Sequence, residues 1–312
     1  MQVLHVPPTT RRIASGRETS CDGVRCCVEE AKVTGTGARW LTGVLIVACV
    51  LLVGPSTSNG VHVAKPLPAG APEDVVPNRV MTWNICNPCK GSDQNVGRAA
   101  EIATYAPQVI GLQEACVRDV ERIRDHLQYQ YGLVYHVAYG SVLQRWSRCG
   151  GVPWSPGGFG QAILSAAPMT GQVNVKYPDG GSEDRGYMAV TTLVDGRPVR
   201  VFNTHLAQRR QEAVRAKQTV VLAKAVARYD RTIVLGDFNA VPEAAELSGM
   251  WRLAEDADSE CGPSAAGMCE PTTDWRSKFD YIFLRGFVPL EQDVHLTPYS
   301  DHDLVQADLS RS

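Results

Sequence analysis

One apolar run that ends in polar residues constrains this chain more than any other stretch. Residues 233–235 are apolar, and Asp237 and Asn239 follow them two positions apart. A short apolar run beside a glycine predicts a buried strand. Because a carboxylate is costly to bury unless it is paired, hydrogen-bonded or bound to metal, the stretch predicts a strand that delivers polar groups to an active site.

The N-terminal part of the chain differs in composition from the rest. Residues 41–53 carry no charge, which is typical of the apolar region of a secretory signal peptide. The run is shorter than the roughly 20 residues that cross a bilayer, and a buried core helix is the alternative interpretation. We expect a signal-bearing extension over 1–64, cleaved near residues 61–64, a proline-rich linker over 65–78, and a folded domain over 79–312. The expected location is extracellular, with membrane tethering by an uncleaved segment as the alternative.

The expected mature chain has an even number of cysteines. They are Cys86, Cys89, Cys116, Cys149, Cys261 and Cys269. An even number favours disulfides in an oxidising compartment. Sequence does not fix the connectivity, but we expect Cys116 to pair with Cys149 and Cys261 with Cys269. A redox or zinc half-site at Cys86 and Cys89 is the alternative, although no second CxxC motif accompanies it.

Charge excludes one class of protein and leaves local basic surfaces open. The net charge is −2 for the whole chain and about −4 beyond residue 64, which excludes a globally basic nucleic-acid binder. No acidic residue occurs over 126–178, and the loop over 140–160 contains arginine and tryptophan. Such side chains suit a phosphate-rich polymer; a disulfide-stapled surface loop is the alternative. A predicted basic helix over 209–229 has the same two interpretations, polyanion binding or a solvated face.

Hydrophobic periodicity predicts an α/β protein with mixed sheets. Helices are expected over 95–105 and 117–128. An Asp-Gly turn at 195–196 predicts a hairpin between strands 187–194 and 199–204. Further strands are expected at 79–85, 108–112, 135–139, 161–164, 172–177, 232–235, 279–284 and 304–309. Hairpins interleaved with helices favour mixed sheets over a doubly wound parallel sheet.

Polar side chains follow several of these strands or precede the last one. They are Asn84, Glu114, Asn203, His205, Asp237, Asn239, Asp280, Asp301 and His302. Any one of them is explained equally well as a turn or cap residue, but together they indicate convergence at one edge. Carboxylate and amide oxygens favour Mg²⁺, Mn²⁺ or Ca²⁺ over zinc. A hard cation beside carboxylates and histidines is suited to phosphoryl hydrolysis.

The motifs TWN, QE, NTHL, GDFN, DYIF and SDH, in this order, resemble those of the endonuclease/exonuclease/phosphatase family. The resemblance spans about residues 79–309. It implies a four-layered α/β/β/α sandwich, in which two packed mixed sheets are flanked by helices. It also implies metal-dependent cleavage of phosphoester bonds at one edge of the sheets, so that residues 79–312 form a catalytic domain.

The resemblance also implies a role for each matching residue. The implied catalytic residues are His205, Asp237, Asn239, Asp280 and His302. The implied metal-site residues are Asn84, Glu114 and Asp301. The expected substrate-binding residues are Arg185 and Asn203. Asp237 and Asn239 would orient water, His302 held by Asp280 would act as base or protonate the phosphate, and His205 would contact the phosphate or assist the leaving group.

The sequence therefore predicts a secreted, Mg²⁺-dependent phosphodiesterase, with Mn²⁺ or Ca²⁺ as alternative metals. A nuclease acting on DNA or RNA is the leading interpretation, and the expected partner is a nucleic-acid substrate. A sphingomyelinase-like phosphoesterase for lipids or small phosphates is the alternative. An inactive binding module is the third, but the intact carboxylates and histidines argue against it. We expect a monomer without a stable protein partner and without membrane contact after cleavage.

Overall fold

The structure, a computed structural model, describes residues 74–87, 91–144, 146–208 and 210–310. The expected signal segment, its cleavage site and most of the expected linker lie outside the described residues. Among the described helices, none combines the length and the apolar character needed to cross a membrane.

The described chain forms five helices and fourteen strands. The helices are α1 (Asn95–Tyr105), α2 (Val117–Tyr131), α3 (Trp146–Cys149), α4 (Glu212–Val226) and α5 (Ser248–Trp251). The strands are β1 (Val76–Asn84), β2 (Pro107–Cys116), β3 (His136–Gln144), β4 (Gly151–Val152), β5 (Ser155–Pro156), β6 (Gly158–Ser165), β7 (Thr170–Lys176), β8 (Gly186–Val194), β9 (Arg197–His205), β10 (Thr232–Asp237), β11 (Glu255–Asp256), β12 (Asp280–Arg285), β13 (Pro289–His295) and β14 (Leu304–Leu309).

Two six-stranded mixed sheets form the centre of the domain. The first has the order β13-β14-β1-β2-β6-β3, and the second has the order β11-β12-β10-β9-β8-β7. Their facing sides bury one apolar layer that includes Val80, Val201 and Leu235. Helices α1 and α2 pack on the outer side of the first sheet, and α4 packs on the outer side of the second. The expected α/β/β/α sandwich is confirmed.

Strand direction brings the polar strand ends to one edge of the sandwich. β1 and β2 are parallel, and Asn84 at the end of β1 pairs with Gln113. β9 and β10 are also parallel, and their last residues, His205 and Asp237, pair with each other. The antiparallel strand β12 begins with Asp280 opposite Asp237. Because the carboxyl ends of parallel neighbours meet at the same edge, side chains distant in sequence become neighbours.

Several predicted elements have the bounds that the sequence indicated. α1 and β14 match their predicted ranges, and α2 continues three residues beyond its predicted end. Asp195 and Gly196 both have positive φ, as a two-residue hairpin turn between β8 and β9 requires. The disulfides Cys116–Cys149 and Cys261–Cys269 are confirmed.

Three other boundaries differ from the prediction. The expected linker ends earlier, because Val76 already donates its backbone N–H to the carbonyl of Ala106, at 2.8 Å, and begins β1. α4 is shorter than the predicted helix over 209–229. β13 was not predicted, because its sequence PLEQDVH carries two acids and only weak alternation, as is common in an edge strand.

The glycine-rich loop over 140–160 is more ordered than the sequence suggests. It contains the end of β3, the short helix α3 and the two-stranded β4–β5 hairpin, held by the Cys116–Cys149 disulfide. Arg148 lies over the ring of Phe159, 4.5 Å from its centroid, and pairs with Glu183. Arg148 therefore makes its contacts within the protein. For this arginine, the structure favours a disulfide-linked surface loop over nucleic-acid binding.

The basic helix α4 is likewise partly neutralised. Arg215 is buried and its guanidinium lies 2.9 Å from Glu246. Lys217 lies 3.2 Å from Asp179. These two cations serve contacts between elements of the domain, so the basic character of the helix is weaker than its sequence indicates.

Candidate active site

Asp237 is the centre of the polar edge. Its side chain is 1% exposed. Oδ2 accepts a hydrogen bond from Nδ2 of Asn84 at 3.0 Å, which joins the two sheets, and Oδ1 accepts one from the backbone N–H of Asn239 at 2.8 Å. Nε2 of His205 lies 3.3 Å from Oδ2, and Nε2 of His302 lies 3.7 Å from it. The carboxylate therefore sits between two imidazoles.

His302 is anchored on the side away from Asp237. Its Nδ1 lies 2.8 Å from Oδ2 of Asp280. The hydroxyl of Thr272 donates to the same oxygen at 2.7 Å. The backbone carbonyl of His302 accepts a hydrogen bond from the indole of Trp83 at 3.0 Å. These contacts fix the ring so that Nε2 faces Asp237, as expected for a histidine held by Asp280.

His205 has a different environment. Its Nε2 lies 3.0 Å from Nδ2 of Asn239 and 3.8 Å from Oε1 of Glu114. Glu114 and Asn239 both have positive φ, 49° and 51°. Residues other than glycine adopt this conformation only at an energetic cost, and such positions cluster at functional sites. Glu114 lies at an irregularity within β2 and Asn239 lies just after β10, and the backbone bends at both positions.

The charges of Asp237 and His302 stabilise each other. Burial raises the pKa of Asp237, but His302 and His205 outweigh this effect and hold that pKa well below its usual range. Burial lowers the pKa of His302, but Asp280 and Asp237 outweigh it and raise this pKa to about 10. In the metal-free protein at neutral pH, an imidazolium therefore lies beside a carboxylate.

The residues present fit a hard divalent cation. Ligand atoms of Asp237, Asp280 and His302 lie within 4.8 Å of one another. Nδ1 of His302 and the hydroxyl of Thr272 occupy Oδ2 of Asp280, whereas its Oδ1 is buried without a hydrogen-bond partner among the described residues. In the described part of the chain, Oδ1 of Asp301 is buried without a hydrogen-bond partner, and Oε1 of Glu114 lies 3.8 Å from Nε2 of His205. Unpaired carboxylate oxygens are the donors that such cations prefer.

The loop that carries Asp301 is fixed to the end of β1. The hydroxyl of Ser300 donates to the backbone carbonyl of Asn84 at 2.6 Å and accepts the backbone N–H of His302 at 3.2 Å. Asn84 also accepts the backbone N–H of Cys86 with its Oδ1. The three predicted metal-site residues therefore lie on the same edge as the two histidines, and their role as ligands remains a prediction.

Asn203, which the sequence predicts to bind substrate, lies deeper than the other site residues, and its contact with substrate stays a prediction. Asn203 has no exposed surface. Its Nδ2 donates to the carbonyls of Leu112 and Ala162 at 2.9 and 2.8 Å, and its Oδ1 accepts from Nε2 of Gln113 at 2.6 Å. Asn203 shares the strand face of His205 but lies two residues deeper, where its amide bridges the two sheets.

Arg185 lies next to the site. It precedes Gly186, which pairs with His205 in the β8–β9 ladder. Its side chain is 4% exposed, and its guanidinium lies 2.5 Å from Glu183. A buried arginine held by a carboxylate is oriented rather than free, and its contact with phosphate remains a prediction.

The sequence interpretation missed residues that position the predicted catalytic side chains. Thr272 and Ser300 were not singled out, because a hydroxyl in a loop carries no periodic or motif signal. Trp275 was not singled out either, although its ring contacts that of His302. The one signal in the sequence that could have indicated them is proximity to a motif. Thr272 and Trp275 lie within eight residues of Asp280, and Ser300 lies two residues before His302.

The model of the Endonuclease/Exonuclease/phosphatase family matches residues 81–302. The chain belongs to this family. Members of the endonuclease/exonuclease/phosphatase family are hydrolases of phosphodiester and phosphate ester bonds. The protein is thus a metal-dependent phosphoesterase.

Solved structures with this fold come from distant relatives. D. rerio TDP2 complexed with a single-strand DNA product is 18% identical, with a TM-score of 0.59 over 74% of this chain and 98% of that one. The human Nocturnin catalytic domain with bound sulfate is 25% identical, with a TM-score of 0.56 over 75% and 94%. The Bacteroides thetaiotaomicron mannosyl-6-phosphatase Bt3783 is 14% identical, with a TM-score of 0.58 over 74% and 99%. The search of curated proteins gave no match to this chain.

Proposed function

We propose that this phosphoesterase is a secreted nuclease that hydrolyses phosphodiester bonds of DNA or RNA. The observation that carries the proposal is the position of the two histidines on either side of Asp237, at the edge of the sandwich. An edge site admits a continuous polymer. Asn239 also lines an adjoining cavity of about 430 Å³, in which Glu212 and Glu246 neutralise the buried Arg215 and Arg210 is exposed; Arg210 is therefore the cation of this cavity that suits a polyanion. The D. rerio relative with bound single-strand DNA product supports the same substrate class.

The proposed division of labour follows from the contacts. A divalent cation held by Glu114 and Asp301, with Asn84 beside them, would polarise the phosphate and stabilise its developing charge. His302 and His205 lower the pKa of Asp237 and keep it ionised, so Asp237 orients the attacking water through a hydrogen bond accepted at Oδ2, and it takes up the water's proton as the new P–O bond forms. His302 keeps a proton on Nε2 and donates it to a phosphate oxygen.

The second histidine serves the other side of the phosphate. Nε2 of His205 lies between Asn239 and Asp237, where it reaches the leaving oxygen or a phosphate oxygen. Nδ2 of Asn239 is a fixed donor for the charge that develops in the transition state, and such preorganised donors contribute most to catalysis. Arg185, oriented by Glu183, would add charge beside the phosphate.

A substrate and metal screen tests this proposal. The purified protein is incubated with plasmid, single-stranded DNA, RNA, sphingomyelin vesicles and phosphomonoesters, in Mg²⁺, Mn²⁺, Ca²⁺ or EDTA. We expect cleavage of a nucleic acid that requires a divalent ion, with Mg²⁺ the proposed metal. Activity that persists in EDTA contradicts the mechanism, whereas hydrolysis restricted to sphingomyelin or phosphomonoesters contradicts the substrate class.

Secretion is a separate part of the proposal. It is supported by the uncharged run over 41–53 and by the two disulfides of the folded domain, which persist in oxidising compartments. N-terminal sequencing of the protein recovered from culture medium tests it. We expect a mature start near residues 61–65. A protein that is retained in the cytoplasm, or a secreted chain that still contains residues 41–53, contradicts a cleaved signal.

A further inference from the structure

A partly exposed tryptophan, Trp275, lies beside the anchored histidine. The Trp275 ring contacts that of His302 almost at right angles, with centroids 5.4 Å apart and an interplanar angle of 87°. On another side it contacts Phe279, with centroids 6.0 Å apart. The residue is nevertheless 41% exposed. A large aromatic surface is therefore open to solvent within contact distance of a catalytic side chain.

The turn that carries Trp275 is fixed to the catalytic loop. Thr273 forms a β-bridge with His302, and the backbone N–H of Asp274 donates to the carbonyl of Asp301 at 3.1 Å. The turn is closed by Thr273, whose hydroxyl donates to the carbonyl of Ser277 at 2.9 Å and accepts its N–H at 3.0 Å. The turn therefore holds the indole in a fixed position relative to His302. Such preorganisation lowers the entropy cost of binding.

The chemistry around the indole favours a planar polar ligand over a lipid chain. The two neighbours of Trp275 in the chain, Asp274 and Arg276, are exposed and charged. Charged residues on both sides oppose insertion into hydrocarbon, whereas they leave an indole face accessible in water. Every nucleobase has a π-face, and stacking of a base on an aromatic side chain tightens binding by about 10- to 100-fold.

We propose that Trp275 forms a nucleobase subsite that stacks the base next to the scissile phosphate. The inference rests on the proposed nuclease function and names a residue that recognises the substrate there. A nucleotide stacked on the indole has its phosphate within reach of His302, because the two rings are in contact. The subsite therefore sets the register of the strand relative to the catalytic groups without reading a particular base.

The alternative platform on this protein is Trp154. It lies in the β4–β5 hairpin and is 85% exposed. No ring of the described residues contacts it, whereas Trp275 touches both Phe279 and His302. Trp154 is a matched comparison for Trp275, because both are exposed tryptophans in turns but only one is fixed to the site.

The test pairs a side-chain deletion with a base deletion. Trp275→Ala, Trp275→Phe and Trp154→Ala are assayed with single-stranded oligonucleotides that contain one cleavable phosphodiester, either with all bases or with an abasic residue on the 5′ or the 3′ side. We expect Trp275→Ala to raise KM by about 10- to 100-fold on the complete oligonucleotide, as the stacking energy implies. On the oligonucleotide that lacks the stacked base, KM of Trp275→Ala should be close to that of the wild-type protein. On the complete oligonucleotide, Trp275→Phe should retain most of the wild-type binding. Dissociation constants of the labelled oligonucleotides in EDTA, measured by fluorescence anisotropy, should follow the same pattern.

Three outcomes overturn the inference. If Trp275→Ala lowers kcat equally on complete and abasic oligonucleotides, Trp275 supports His302 and does not bind a base. Unchanged KM and dissociation constants would remove it from the binding surface, and base-dependent loss in Trp154→Ala would assign stacking to the hairpin. Failure of the nuclease proposal is distinct, because the wild-type protein would then cleave no oligonucleotide, whereas here it cleaves and only the coupling between Trp275 and the base is missing.

Discussion

The two histidines on either side of Asp237 are held in different ways. His302 is held from behind by the buried carboxylate of Asp280, 2.8 Å from Nδ1, and its Nε2 faces the site. His205 directs its Nε2 toward three site residues at once, namely Asp237, Asn239 and Glu114. A carboxylate behind an imidazole fixes its orientation and stabilises its protonated form. An imidazole without this support depends on the groups it faces.

Because the two histidines are supported differently, we expect them to have different tasks. Support from Asp280 suits His302 to proton transfer, in which the ring carries charge during the reaction. The position of His205 beside Glu114, a proposed metal ligand, suits it to contact with the phosphate and the leaving group. The predictions below test whether the asymmetry in structure is also an asymmetry in function.

Loss of His302 should have the largest effect. We expect His302→Ala to lower kcat by about 10³-fold or more, in the upper range for a residue that transfers protons. Initial rates on the preferred nucleic acid at saturating metal measure this. His136→Ala, which removes an exposed histidine at the start of β3, is the control and should retain activity. A loss below about tenfold in a folded His302→Ala protein would remove its assigned role.

Loss of His205 should have a smaller effect. We expect His205→Ala to lower kcat by about 10²-fold, the lower end of the loss seen when one preorganised transition-state contact is removed. The same rate assay compares the two variants directly. Equal losses in His205→Ala and His302→Ala, with both proteins folded by circular dichroism, would show that the anchor behind His302 makes no functional difference.

Glu114 tests the surroundings of His205. We expect Glu114→Gln to raise the metal concentration for half-maximal activity by about tenfold or more, because a neutral amide is a weaker ligand than a carboxylate. A Mg²⁺ titration of activity measures this, and calorimetric titration of Mg²⁺ gives an independent value. Glu121→Gln, an exposed residue of α2, is the matched control. An unchanged midpoint in Glu114→Gln would place the metal elsewhere.

The smallest effect concerns stability and its dependence on pH. The folded-state pKa of His302 is raised to about 10 from the usual 6.5, so folding favours its protonated form. The resulting stabilisation is complete below pH 6.5 and is lost as pH rises through about 10. We expect the urea midpoint of the wild-type protein in EDTA to exceed that of His302→Gln most at pH 6, with a difference that narrows by pH 10. A difference that widens over this range contradicts the raised pKa.

Much of the site could be predicted from the sequence because its residues terminate strands. Asp237 follows an apolar run too short for anything but a strand, and Asp280 begins another. Those signals are local, so they can be recognised in the sequence without knowledge of the fold. Asn203 carries the same local signal, but its side chain lies deeper between the sheets. Depth along a strand depends on how far the partner sheet extends, which no local pattern contains.

The sequence by itself predicted most of the strands, helices α1 and α2 and the order of polar residues that resembles the family, and it left the disulfide connectivity open. Only the tertiary structure decided that Thr272 and Ser300 position the site residues, that Asn203 bridges the sheets and that Trp275 lies against the ring of His302. The physical reason is that periodicity and turn chemistry act over a few residues, whereas these contacts join segments that approach only when two sheets pack face to face. Trp275, a residue of a loop with no periodic signal, gains its neighbour from that packing alone.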